Sequence, residues 1–159
     1  MFGKLLLAVD DSPSGEVAVS FAAAVARQCS AAVHVHHVNE FVVGGRGITL
    51  LPMDDAAALV TRAVEELRSA GLRADGSVAV ASYREVPQRL VAVAAERGVD
   101  AIVLGSRRHR RLRRLFSHQV RERTLRLSPL PVLAAPSPLG LTVPGDVAFD
   151  RLAAEAFAR

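Results

Sequence analysis

Tryptophan is absent from this chain, tyrosine occurs once, and aromatic residues make up only 4% of it. A platform that stacks the bases of single-stranded nucleic acid needs several aromatic faces, so that class of binder is excluded. There is one cysteine, Cys29, and hence no internal disulfide. Long apolar runs are missing too. The longest, Val17 to Ala26, falls far short of the roughly 20 residues that cross a bilayer. The start of the chain carries one early charge, Lys4, and the short apolar run Leu5 to Val9. A secretory leader needs about 7–15 apolar residues and a small-residue cleavage site. The expected location is therefore the cytoplasm, with no membrane partner. Lysine is scarce as well: Lys4 is the single one, so the cations are arginines.

What is present is apolar and unevenly charged. Half of the 159 residues are hydrophobic, enough for the core of one domain. With few aromatics, that core must be built of Ala, Val and Leu. The net charge is +4, but residues 106–126 hold nine arginines against one acid, Glu122, giving +8 and leaving −4 for the rest. The chain is a slightly acidic domain with one strongly basic segment.

Periodicity yields alternating strands and helices. Lys4–Val9 is an apolar run that ends at Asp10 and Asp11, and it predicts a buried strand. Ser12-Pro13 suits a helix start, with Ser as cap and Pro in the first turn, and the helix runs to about Cys29. Ala32–Val38 predicts a second strand. The glycine-rich stretch Asn39–Pro52 reads as a long mobile connection. Asp54 or Asp55 is expected to cap a second helix that ends at Ala70-Gly71. Ser77–Ala81 predicts a third strand, Glu85–Arg97 a third helix, Asp100–Gly105 a fourth strand. The arginine segment leads into a fourth helix ending near Leu127, and Pro131–Ala135 predicts a fifth strand. Residues 1–136 thus form one α/β domain, a five-stranded parallel sheet with helices on both faces. Residues 137–159 form a C-terminal extension: a Pro-containing linker, Ser137–Pro144, and a short amphipathic helix over Asp146–Ala158.

In an open parallel sheet, ligands sit beyond the C-terminal strand ends, where strand order reverses. With the first strand central, that crevice is flanked by Asp10 and Asp11 and by Gly105 and Ser106. The basic segment starts there.

LLLAVDDSPSGEVAVSFAAAVA (residues 5–26) and VDAIVLGSRRHRRLRRLFSHQVRERTLRLSPLPVLAA (residues 99–135) resemble the opening and the ending of universal stress proteins. The resemblance spans roughly residues 3–136. It implies a Rossmann-like (HUP-type) fold with strand order 3-2-1-4-5 and a homodimer through the edge of the fifth strand. Nucleotide-binding members of that family carry Gly, two residues, Gly, nine residues, Gly, then Ser or Thr. On this spacing the positions are Gly105, Arg108, His118 and Gln119, so the spacing survives while three of four identities are lost. Glycines often found after the second fall at Arg110 and Arg111. The resemblance implies a nucleotide-contact set of Ala8, Val9, Asp10, Val38, Leu104, Gly105, Arg108, His118, Gln119 and Val120. Cradle glycines admit φ > 0 and let backbone N–H groups approach a phosphate, and an arginine with its Cβ and long side chain does neither. The expected cofactor is none, with ATP as the alternative, and weak hydrolysis is the most the resemblance would add to a non-enzyme.

Arg107, Arg110, Arg111, Arg113 and Arg114 form a basic surface, which is either simply solvated or recruits an acidic protein or polyanion. No helix-turn-helix, finger or aromatic RNA motif accompanies it, so sequence-specific nucleic-acid reading is not expected. In a third reading Arg108 folds back onto Asp10 or Asp11 in place of a ligand. VDDS also resembles the Mg²⁺-holding acidic pair of receiver domains. The third strand here ends without an acid, however, and no lysine follows Lys4, so Asp11 is read as a helix-capping residue. His34 and His36 share one face of the second strand, but no carboxylate or cysteine at ligand spacing supports a metal. His37 and Cys29 are read as packing residues. No Ser-His-Asp, paired-carboxylate or Walker pattern is visible in the sequence, and no catalysis is expected.

Overall fold

The computed structural model describes residues 1–42, 48–49, 51–105 and 114–136. Its elements in chain order are β1 (Lys4–Ala8), α1 (Pro13–Cys29), β2 (Ala32–Val42), β3 (Ile48–Thr49), α2 (Met53–Ser69), β4 (Ala74–Ser82), α3 (Val86–Glu96), β5 (Ala101–Leu104), α4 (Arg114–Leu127) and β6 (Val132–Ala134). Five of the strands are parallel. β1 lies between β2 and β5, β4 flanks β2, and β6 flanks β5. Counting the parallel strands alone, this is the expected order 3-2-1-4-5.

The sheet is central because its strands are apolar on both sides. Leu5, Leu7, Val33, Val35 and Val103 face one way, against Ala18 and Ala22 of α1 and Val60 and Leu67 of α2. Leu6, Val38, Ile102 and Leu104 face the other way, against Leu90 and Val93 of α3. Each fully buried Leu or Val contributes about 1.5–3 kcal/mol relative to exposure. Small residues on α1 let that helix lie close to the sheet. Gly76 does the same for α2: a Cβ there would collide with Val60 Cγ1 and come within 3.0 Å of Val64 Cγ2.

The chain departs from the sequence expectations in several places. β2 runs four residues past Val38, and β3 pairs antiparallel with its end, Phe41 with Thr49 and Val42 with Ile48. Phe41 is already paired with Ser82 of β4 on its other edge, so β3 continues the edge that β1 occupies lower down. Buried Asn39 fastens this connection. Its Nδ2 donates to the Leu51 carbonyl at 2.8 Å and its Oδ1 accepts from the Leu51 N–H at 3.3 Å. β4 starts three residues earlier than Ser77, because Ala74 and Asp75 pair with Val33 and His34. α2 starts at Met53 with Pro52 in the cap position and no side-chain capping bond, while Asp54 and Asp55 sit in its first turn, where the helix dipole favours acids. The helix stops at Gly71 and Gly98 are as expected, both with positive φ, 81° and 58°. No helix among the described residues is long and apolar enough to cross a membrane. The extension over residues 137–159 lies outside the described residues.

Candidate functional site

The crevice beyond β1 and β5 is built by register. Ala8 pairs with His36 on one side and with Leu104 on the other. The Val9 N–H then donates to the His36 carbonyl at 3.0 Å, and the Ala135 N–H to the Leu104 carbonyl at 2.8 Å. Continuing that register brings Asp10 level with Val38. Ala8, Val9, Asp10, Val38, Leu104 and Gly105 are therefore gathered at one end of the sheet. Val38 is not the end of its strand, and its side chain is buried in the α3-side core with Leu6 and Leu90. Val120 packs against the same core from α4, and its carbonyl accepts from the buried Thr124 hydroxyl at 2.7 Å. Arg107, Arg108, Arg110, Arg111 and Arg113 lie outside the described residues, as does the idea that Arg108 folds back onto Asp10 or Asp11. Arg114, His118 and Gln119 fall in the first half of α4.

Asp10 is half-buried, and its Oδ1 accepts the Ser12 hydroxyl. Ser12 does occupy the N-cap position of α1, with φ −145°, yet its hydroxyl makes no capping bond, because it is turned to Asp10 instead. Asp11 is exposed beside this turn. Gly15 is required here: a Cβ at that position would stand 2.6 Å from the Asp10 carbonyl oxygen. Next to Asp10, between the start of α1 and the middle of α2, lies a pocket of ≈ 280 Å³ whose charged lining is Asp10, Asp11, Glu16, Arg62 and Glu66. Four acids against one guanidinium make it a poor host for phosphates.

His37 extends this end of the sheet. Its Nδ1 donates to the Val9 carbonyl at 2.9 Å, which ties β2 to the β1 turn and agrees with a packing role.

A family model, that of the universal stress protein family, matches residues 1–136. The chain belongs to the universal stress protein family. Among solved structures, a universal stress protein from Archaeoglobus fulgidus is similar at 26% identity and a TM-score of 0.65, covering 86% of this chain and 100% of that one. A structure of the universal stress protein from Archaeoglobus fulgidus in complex with dAMP gives 26% identity and a TM-score of 0.65, over 84% and 98% of the two chains. A universal stress family protein from Burkholderia pseudomallei shares the fold, with 22% identity, a TM-score of 0.65, and coverage of 85% and 96%. No curated protein matches the chain.

One polar constellation of this stress-family domain has no counterpart in the sequence reading. On the α3 side of the sheet, His34 Nδ1 stands 2.7 Å from Asp75 Oδ1 and its Nε2 stands 2.8 Å from Ser77 Oγ. His36 Nδ1 is 2.8 Å from the same Ser77 Oγ. The two rings are stacked with centroids 6.3 Å apart. Both are buried, at 0% and 2% exposure, while the Asp75 side chain is 54% exposed. Burial, together with the charges of His34, Arg89 and His37, pushes His36 down to about 4. Asp75 is held below the usual carboxylate range: the His34 hydrogen bond and charge outweigh its partial burial, with Lys4 and Arg97 assisting. The sequence pattern shows no acid partner for His34, because Asp75 comes opposite it only through the extension of β4 to Ala74. Among the described residues, no group of three or more His, Cys, Asp or Glu is arranged to hold a metal ion.

Proposed function

We propose that this chain is a non-catalytic stress-response regulator whose strand-end crevice does not bind ATP in the usual manner of its family. The observation that carries the reading is the combination of an assembled crevice floor, Asp10 and Gly105 at adjacent strand ends, with Arg108, His118 and Gln119 at the cradle positions. A phosphate cradle works through backbone N–H groups that approach closely, and residues with a Cβ lack the backbone freedom by which glycine allows that approach. The acid-lined pocket beside Asp10 adds electrostatic opposition to a polyanion. The alternative is an adenine nucleotide bound in another way, as the dAMP complex of the Archaeoglobus fulgidus relative suggests; a monophosphate asks less of the cradle than a triphosphate does. Calorimetric titration with Mg-ATP and with AMP decides. The proposal expects no saturable ATP binding, and a micromolar ATP dissociation constant overturns it.

The same proposal includes a homodimer paired along the edge of β6. Val132 and Leu133 are half-buried there and Ala134 is exposed, and Pro131 and Pro136 limit the length of pairing. Sedimentation at micromolar concentration tests this edge. A second reading rests on the exposed arginines Arg89 of α3 and Arg123 and Arg126 of α4, the last two belonging to the basic segment 106–126. It takes them as a surface for an acidic protein or polyanion. Retention on heparin that falls steeply with salt supports it, and no retention at low salt removes it.

A further inference from the structure

Donor and acceptor roles in the β2–β4 chain follow from its ends. Asp75 is ionised and can only accept, so His34 Nδ1 carries the proton that lies between them. In the neutral imidazole, Nε2 is then the bare acceptor and takes the Ser77 hydroxyl proton at 2.8 Å. The hydroxyl has one proton, so toward His36 its oxygen accepts and His36 Nδ1 donates, at 2.8 Å. His36 is thereby neutral, and its Nε2 is buried without a partner among the described residues. Ser77 Oγ keeps one lone pair uncommitted. The series carboxylate, imidazole, hydroxyl is the arrangement that activates a serine nucleophile: base within hydrogen-bond reach, and the base oriented by a carboxylate.

Access is favourable. β4 is an edge strand whose described pairing is with β2. Asp75 and Gly76 are exposed and Ser77 is partly exposed. The cluster spans β2 and β4 on the α3 side, with His34 level with Leu6 and His36 level with Ala8, so it borders the strand-end crevice without including Asp10 or Gly105.

We propose that Ser77 is an activated serine that accepts acyl or phosphonyl groups from small activated donors, with His34 as general base and Asp75 as the residue that positions it. With an aryl ester, Ser77 Oγ bonds to the carbonyl carbon as its proton passes to His34 Nε2. The C–O bond to the phenol breaks, and the phenol leaves with that proton, giving acyl-Ser77. With a fluorophosphonate, the P–F bond breaks, fluoride departs, and the proton is released from His34 to water. This inference is independent of the crevice reading.

The test is labelling of the whole chain with a fluorophosphonate probe, followed by mass spectrometry of the digested protein. The wild type is expected to carry the adduct on Ser77, and Ser77→Ala to carry none. Asp75→Asn offers an amide N–H to His34 Nδ1 and reverses the tautomer, so its labelling is expected to be at least tenfold slower. Because Asp75 is half-exposed, that variant keeps its fold, which matched melting curves verify; His34→Gln, at a buried position, is the companion variant. The wild-type rate is expected to depend on pH through the imidazole base, and the His34→Gln rate to lose that dependence. His36, His37, Arg89, Lys4 and Arg97 are the charged and titratable groups around the chain, and they remain in both proteins. An adduct elsewhere, no adduct, or equal rates in wild type and Asp75→Asn overturns the proposal and leaves the chain as a tether between strands.

Discussion

Two polar regions interrupt the apolar interior of this molecule, and they are made in different ways. The strand-end crevice gathers Asp10, two residues past β1, and Gly105, directly after β5. The β2–β4 chain gathers His34, His36, Asp75 and Ser77, which meet because two parallel strands fix one register, His34 beside Asp75 and His36 beside Ser77. The first can be located from the order of elements and the strand-end rule. The second exists only once the register is known. One strand, β2, also shows both chemistries: Val33 and Val35 enter the apolar core under α1 and α2, while His34 and His36 between and beyond them face the α3 side.

The largest expected effect falls on the register-built region. The folded state holds His36 at about 4 against 6.5 for the free side chain. Between those values the unfolded chain binds a proton that the folded chain refuses, so stability falls as pH drops from about 6.5 to about 4 and levels off below. The loss is on the order of 3 kcal/mol, read from urea melts at three pH values. His36→Leu flattens that window. Asp75, held below its usual range, adds a smaller loss as pH falls through its folded value.

Next in size is Gly76→Val, which places atoms against Val60 and Val64 of α2. It is expected to cost about 2 kcal/mol and to raise amide exchange along β4, loosening the polar chain while leaving the crevice unchanged. Gly15→Ala is the converse, since it presses on the Asp10 carbonyl at 2.6 Å. A loss of about 1–2 kcal/mol is expected, with exchange rising at the start of α1 and β4 unaffected. If either variant disturbs both regions equally, their separation is wrong. The smallest effect is a gain. Arg108→Gly combined with His118→Gly supplies two cradle glycines, and the expected change is from no saturable heat to weak, millimolar ATP binding in calorimetry.

Much of the fold was legible because its signals are local. Leu5–Leu7 and Ile102–Leu104 are uninterrupted apolar runs, and Gly71 and Gly98 end helices at positive φ. The extent of β2 was not legible, because Asn39–Val42 is held as strand by β3 and β4 rather than by its own pattern. Asp75 and Gly76 are poor strand formers by propensity, so the pattern starts β4 three residues late and leaves out the acid that faces His34. The sequence contains no Ser-His-Asp signature, yet the register assembles that series. Ser12 shows the same limit on a smaller scale: its position in the cap was readable, and the turn of its hydroxyl toward Asp10 was not.

The central claim is that the family scaffold is kept at the crevice while its phosphate cradle is rewritten. Calorimetric titration of the unmodified chain with Mg-ATP tests it most directly. No saturable heat is expected up to millimolar nucleotide, and a dissociation constant in the micromolar range would contradict that claim.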